Sequence, residues 1–157
     1  MRKLLSRGLV LAGVVSLPVA VSPWQSQAPP PSECCRDSRL ESLREFFQKF
    51  DCPAAQYSGE FIEAADDNGL DWRLLPSISY VESTGGKAAR NNNLFGWDSG
   101  RTQFSTPAEG IHAVGYWLAH SHLYKDKDLD NLLATYNPAA EYVAKVKSIM
   151  RRIAPLE

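Results

Sequence analysis

The chain has 157 residues, the size of one small domain rather than two, and a formal net charge of −1. The first 28 residues hold three basic and no acidic side chains, so the remaining chain has 14 basic against 18 acidic residues and a charge of −4. This balance leaves no basic stripe for nucleic acid or an anionic membrane, whereas a neutral polymer such as a polysaccharide is compatible with it.

The N-terminal segment 1–28 has the pattern of a secretory signal peptide. Basic residues at its start are followed by an apolar stretch, 8–21, which is too short and too interrupted for a membrane span of about 20 residues. Small residues precede a possible cleavage site after Ala28, and an uncleaved anchor is the alternative. Residues 29–37 are predicted to form a flexible, Pro-rich tether. We expect a periplasmic or secreted protein that contacts the membrane only through an uncleaved signal, if at all.

The cysteines Cys34, Cys35 and Cys52 are the candidates for a disulfide, because export places them in an oxidising compartment. Cys52 is expected to pair with either Cys34 or Cys35, which leaves a third thiol. No His or further Cys has the spacing of a cysteine metal site. We expect neither a metal nor another cofactor, and we expect a monomer.

Beyond the tether, the apolar residues recur at helical spacing as far as the C-terminus. The pattern predicts a nearly all-α domain over residues 38–157. The predicted helices are, in chain order, 38–50, 58–68, 71–83, one that begins at 106 and continues past 118, 129–135 and 139–153.

Capping signals define several of the predicted helix ends. Residues 38–41 and 106–109 each form a capping box, and the second also has Pro at the first helical position. Gly69 tolerates the left-handed conformation that ends a helix, and Asp71 can cap the third helix. Between the third and fourth helices, residues 84–105 are rich in Gly, Asn, Ser and Thr and are predicted to be irregular, with at most a short strand pairing. A long irregular segment in a compact domain is often functional.

Glu82 lies at the C-terminal end of the third predicted helix, beside the irregular segment. A carboxylic acid that is partly shielded from water retains its proton more readily, which is what a general acid requires near neutral pH. The alternative is a solvated glutamate at a helix end.

Several short motifs together resemble the β-N-acetylglucosaminidases of glycoside hydrolase family 73. They are Glu-Ser at 82–83, Gly-Lys at 86–87, Asn-Leu-Phe-Gly at 93–96, and Tyr-Asn-Pro at 136–138 with a second tyrosine six residues after the first. The resemblance extends over 61–153. A looser form of the pattern occurs in lytic transglycosylases and goose-type lysozymes. The resemblance implies a lysozyme-like fold in which the long irregular segment forms one wall of a cleft.

The resemblance also implies a substrate, the glycan strand of peptidoglycan, cut after N-acetylglucosamine. Glu82 matches the general acid that protonates the glycosidic oxygen, and Tyr136 matches a tyrosine that lines the cleft near it. Asn93, Phe95 and Gly96 match the loop that shapes the cleft floor.

Aromatic side chains in the irregular segment are candidates for stacking on sugar rings. Phe95 and Trp97 are such candidates, although packing is an equal alternative for Trp97. Asn137, in the closing motif, is a candidate for substrate binding. Other aromatic residues have helical spacing and are predicted to pack in the core: Trp72, Tyr80 and Trp117.

A second catalytic carboxylate is less well defined by the sequence. Glycosidases usually use two carboxyl groups, although the N-acetyl group of the substrate can replace one of them. Asp98 is the candidate, but Asp-Ser-Gly is also good turn chemistry. Glu109 is explained by its capping box. In the family a second acid comes from a longer lobe after the Asn-Leu-Phe-Gly motif, and the short interval here favours a single-acid scheme.

The histidines His112, His120 and His122 are the remaining candidate metal ligands. His120 and His122 lie on different faces of a helix, and no carboxylate completes a ligand set in the sequence, so we expect exposed or helix-end histidines. Three functions remain: an exported endo-β-N-acetylglucosaminidase, a lytic transglycosylase, and an inactive glycan-binding or assembly protein of the same fold.

Overall fold

The computed structural model describes residues 37–155, which excludes the predicted signal peptide 1–28 and nearly all of the predicted tether. The described chain is mainly helical, which confirms the predicted all-α class. No helix in this part of the chain is long and apolar enough to cross a membrane. The helices are α1 (Ser38–Lys49), α2 (Ser58–Asn68), α3 (Leu74–Ser83), α4 (Pro107–His120), α5 (Leu129–Tyr136) and α6 (Tyr142–Ile153), with short 3₁₀ turns at Pro53–Tyr57 and Trp97–Gly100.

The ends of α2 and α4 follow the predicted signals. Gly69 ends α2 in the left-handed conformation, with φ of 63°. Thr106 caps α4 by accepting a hydrogen bond from the amide of Glu109, and Glu109 reaches back to the amide of Ser105 at 2.7 Å. The capping role of Glu109 is therefore confirmed, with a partner one residue earlier than in the standard box.

One predicted cap and two predicted helix starts are corrected. Asp37, not Ser38, caps α1, because its carboxylate accepts a hydrogen bond from the Arg39 amide at 2.9 Å. The third helix begins at Leu74, since Asp71 caps a preceding turn. The sixth begins at Tyr142 rather than 139, because the Asn137 side chain accepts a hydrogen bond from the amide at 139 and holds a turn there.

The core lies between α2 and α4 and between α3 and α6, the two most closely packed helix pairs. Gly115 lies at the contact between α2 and α4, where a Cβ on it would lie 3.4 Å from the carbonyl oxygen of Ala64. Val146 and Ile149 of α6 are buried, as predicted. Trp72, Tyr80 and Trp117 are partly buried and pack against the core, which confirms the prediction for them.

Cys52 is buried beside the C-terminal end of α3. A Cβ on Gly85 would lie only 2.7 Å from the Cys52 Cβ, so this residue packs where only glycine fits. Burial raises the pKa of the Cys52 thiol. The predicted partners Cys34 and Cys35 lie outside the described residues, and the disulfide stays a prediction.

Candidate active site

Glu82, in the last turn of α3, lines a groove of about 570 Å³. Its side chain is half-buried, which agrees with the partial shielding expected from the sequence. The irregular segment forms one side of the groove, and the loop after α4 and the end of α5 form the other. The groove-lining residues are Glu82, Phe95, Gly96, Trp97, Asp98, Ser99, Tyr124, Tyr136 and Asn137.

Ser83 fastens the irregular segment to the end of α3. Its buried hydroxyl lies 2.7 Å from the Leu94 carbonyl oxygen and 3.1 Å from that of Ser79, and it accepts a hydrogen bond from the Gly86 amide at 3.0 Å. The two residues of the Glu-Ser motif therefore have different roles, one at the groove and one in the packing behind it. Glu82 faces the groove, whereas Ser83 faces inward and holds the loop that forms the groove wall.

Asn93 organises the next part of that loop from within. It is 3% exposed, and its side-chain amide donates to the carbonyl oxygens of Trp97 and Thr102 at 3.0 and 3.1 Å. Its Oδ1 accepts from the amides of Phe95 and Trp97 at 3.3 and 3.0 Å. These contacts use both the amide nitrogen and the amide oxygen of Asn93, and Asn93 does not line the groove. Asn93 therefore shapes the floor of the groove without contacting a ligand in it.

Gly96 lies directly against the candidate acid. Its φ is 62°, and a Cβ on it would be 3.2 Å from the Glu82 Oε2. A side chain at position 96 would therefore require the carboxylate to move by a few tenths of an ångström, and it would also be strained by the positive φ.

Tyr136 closes the groove from the end of α5. Its hydroxyl donates a 2.6 Å hydrogen bond to the Phe95 carbonyl oxygen, which ties α5 to the irregular segment. Burial and the nearby charge of Glu82 raise the pKa of the Tyr136 phenol well above its usual range. Tyr136 is therefore a neutral phenol close to Glu82, as expected for a cleft residue.

Tyr142 also faces Glu82, although its sequence position predicts only a core residue. It is 3% exposed and stacks on Tyr136 with ring centroids 6.0 Å apart. Burial, and then the charge of Glu82, raise the pKa of the Tyr142 phenol. Its hydroxyl has no well-formed hydrogen bond to any residue of the described chain. The spacing of two tyrosines six residues apart is the signal that pointed to this pair.

Trp97 and Phe95 differ in their access to the groove. Trp97 is half-buried, lines the groove and packs on Trp117 with ring centroids 5.0 Å apart, so it combines packing with a groove-facing surface. Phe95 is 0% exposed, and its ring packs against Phe61 in the core. The expectation that Phe95 stacks on a sugar is therefore wrong, because the backbone bonds that hold this loop turn its ring inward.

Asp98 lines the groove but already has a partner. Its carboxylate accepts a 2.6 Å hydrogen bond from the guanidinium of Arg101. Asp98 and Ser99 both adopt left-handed backbone conformations within the turn, with φ of 52° and 55°. These features agree with the turn interpretation. Asn137 lines the groove as well, next to Tyr136.

Tyr124 and Ser99 also line the groove, although neither was predicted as a site residue. Tyr124 lies in the turn between α4 and α5, where no helical periodicity applies. Its position in the groove depends on how this turn packs against Tyr136 at the end of α5.

The histidines need one correction. Although the sequence offers no obvious carboxylate ligands, α2 brings Glu60 and Glu63 beside His112 of α4, with ligand atoms within 4.8 Å of one another. The His112 Nε2 is 2.9 Å from the Glu60 Oε2, a contact that a hydrogen bond explains. His120 is exposed at the end of α4, as expected, and contacts the Asn68 side chain at 3.0 Å.

Comparison of the chain with protein-family models, with curated proteins and with solved structures gave no match. The resemblance to the glucosaminidases therefore depends on the motifs in the sequence alone.

Proposed function

We propose that this protein is an exported cell-wall glycosidase that cleaves the glycan strand of peptidoglycan at N-acetylglucosamine, with Glu82 as general acid. One observation carries the proposal: a half-buried carboxylate lies in an open groove, packed against the backbone of Gly96 and close to the phenols of Tyr136 and Tyr142. A partly shielded acid beside neutral donors can protonate a leaving glycosidic oxygen.

The chemistry of the groove supports a neutral polymer as substrate. No Lys or Arg is among its lining residues, whereas Trp97 offers an aromatic surface and Asn137 an amide. Aromatic surfaces and amides suit uncharged sugar rings and their hydroxyls. The negative formal charge of the chain outside its first 28 residues fits the same substrate class.

The absence of a second unpaired carboxylate among the groove-lining residues favours a single-acid scheme. Asp98 is the other acid there, and its ion pair with Arg101 reduces its value as a base or nucleophile. The N-acetyl group of the substrate can then take the second role. The same observation makes a lytic transglycosylase the second candidate, because that reaction also uses one acid and closes a 1,6-anhydro ring instead of adding water.

Digestion of purified peptidoglycan sacculi, followed by mass spectrometry of the soluble fragments, tests the proposal. A glucosaminidase releases fragments with reducing-end N-acetylglucosamine. A transglycosylase releases fragments with 1,6-anhydro-muramic ends, which would replace the proposed reaction by the second candidate. Binding to sacculi with no soluble product at any pH would contradict both, and would indicate an inactive glycan-binding protein of this fold.

A further inference from the structure

Three phenols lie in or beside the groove that Glu82 lines, and they differ in what their hydroxyls can bind. The Tyr136 hydroxyl already donates a hydrogen bond to the Phe95 carbonyl oxygen, and the Tyr142 hydroxyl is buried away from solvent. The Tyr124 hydroxyl makes no hydrogen bond to another residue of 37–155. It is also not one of the polar atoms in this range that are fully buried without a hydrogen-bond partner. Among these three, Tyr124 alone has a donor that is free to bind a ligand in the groove.

The ring of Tyr124 is held firmly although its hydroxyl is free. Tyr124 is only 8% exposed, and its ring packs against Trp97 and Tyr136 with centroids 5.9 and 6.4 Å away. Its amide donates to the Ser121 carbonyl oxygen at 3.1 Å, which fixes the turn that carries it. A donor held in this way loses little conformational freedom when it binds a ligand.

We propose that Tyr124 is a specificity residue that donates a hydrogen bond to the N-acetyl carbonyl oxygen of the sugar bound beside Glu82. This inference rests on the proposed function and names the chemical group that the groove selects. Burial raises the pKa of the Tyr124 phenol, so the hydroxyl stays protonated at every pH at which the protein would act. An amide carbonyl is the matching partner, since it only accepts hydrogen bonds, whereas sugar hydroxyls also donate.

Charge alone predicts the opposite preference. The groove-lining residues include two acids, Glu82 and Asp98, and no basic residue. Asp98 is paired with Arg101, so Glu82 is the lining acid that attracts the ammonium group of a de-N-acetylated sugar more than a neutral acetamide. A preference for the N-acetylated sugar therefore requires a specific donor, and Tyr124 is the one that the groove provides.

Isothermal titration calorimetry tests the inference on full-length protein that carries Glu82→Gln, which prevents turnover. The ligands are two tetrasaccharides of the same β-1,4 backbone, one fully N-acetylated and one fully de-N-acetylated. Tyr124→Phe removes the hydroxyl and keeps the ring. Tyr116→Phe is the matched control, because Tyr116 is 57% exposed on α4 and does not line the groove.

The expected result is a loss of about 3- to 10-fold in affinity for the N-acetylated ligand in Tyr124→Phe, with little change for the de-N-acetylated one. The ratio of the two dissociation constants is measured on one protein, so a partly unfolded sample does not change it. An unchanged ratio in Tyr124→Phe would overturn the role of Tyr124. If the folded Glu82→Gln protein binds neither ligand, the proposed function fails, and the inference fails with it.

Discussion

The carboxylate of Glu82 lies beside Gly96, where a Cβ would come within 3.2 Å of the Glu82 Oε2. This contact joins the end of α3 to the irregular segment at the point where the chemistry is proposed. The groove is therefore built on backbone packing as well as on side chains.

Gly96→Ala tests whether this contact positions the acid. The new methyl group requires the carboxylate to move by a few tenths of an ångström, and we expect this displacement of the catalytic group to lower the rate by up to about 10-fold. Gly69→Ala is the matched control, because Gly69 has nearly the same φ, 63° against 62°, and open space around it. Both variants should lose about 1–2 kcal/mol of stability through backbone strain, and Gly96→Ala alone should lose activity on sacculi. Equal activity in the two variants would contradict the positioning role.

Tyr136→Phe should weaken the connection between α5 and the irregular segment. It removes the donor of the 2.6 Å bond and leaves the buried Phe95 carbonyl oxygen unsatisfied, at a cost of about 1–3 kcal/mol in unfolding free energy. Thermal or urea unfolding measures the loss. Tyr80→Phe is the comparison, since the Tyr80 hydroxyl makes no hydrogen bond within residues 37–155. A loss no greater than that of Tyr80→Phe would count against the bond as a stabilising contact.

Ser83→Ala should destabilise the protein more than Ser42→Ala. Both hydroxyls lie near a carbonyl oxygen one helical turn back, at 3.1 and 3.0 Å. Ser83 also contacts Leu94 and Gly86 of the irregular segment, and it is buried. Loss of the buried hydroxyl leaves these partners unsatisfied, so we expect a cost of about 1–3 kcal/mol against less than about 0.5 kcal/mol for Ser42→Ala. Denaturant titration of both variants measures the difference, and equal values would refute it.

Asp71 gives the stability a defined pH dependence. Burial acts to raise the pKa of its carboxyl group, but hydrogen bonds from the Arg73 side chain and amide outweigh this and hold the pKa below its usual 3.8. A folded-state pKa below the unfolded value stabilises the protein above about pH 4, and the stabilisation is lost as the pH falls through the folded-state pKa.

Asp71→Asn should therefore lower the unfolding free energy by about 1 kcal/mol at neutral pH, and the difference from the unchanged protein should shrink below about pH 4. Urea titrations between pH 3 and 7 measure it. Asp67→Asn is the control, because Asp67 is exposed on α2 and makes no hydrogen bond or ion pair within the described chain. A difference that is constant across this pH range would rule out the ion pair as its source.

Helix ends were predicted well from local residues where no contact with a residue distant in sequence also affects the end. α2 ends at Gly69 because the left-handed stop is a property of that residue. The predicted cap of α1 is one residue too late, because Asp37 and Ser38 are both good caps. Arg39 favours Asp37, since it bonds that carboxylate and also Asp66, which is 27 positions away in sequence.

The candidate site was less predictable where it depends on packing between distant helices. Glu82 and Tyr136 could be found from motifs, and the structure brings both to one groove. The direction of the Tyr142 hydroxyl depends on how α6 packs against α3, which no local pattern specifies. Tyr124 lies in a turn without periodicity, so no pattern of residues pointed to it.

The most direct test of the central claim compares Glu82→Gln with the unchanged protein on peptidoglycan sacculi. The substitution keeps the size of the side chain and removes the proton that a general acid transfers. Glu41→Gln, on the exposed face of α1, is the control for loss of a carboxylate. We predict that the unchanged protein and Glu41→Gln release soluble glycan fragments, and that Glu82→Gln releases at least about 100-fold less. Equal release by Glu82→Gln and the unchanged protein would contradict the assignment of Glu82 as the catalytic acid.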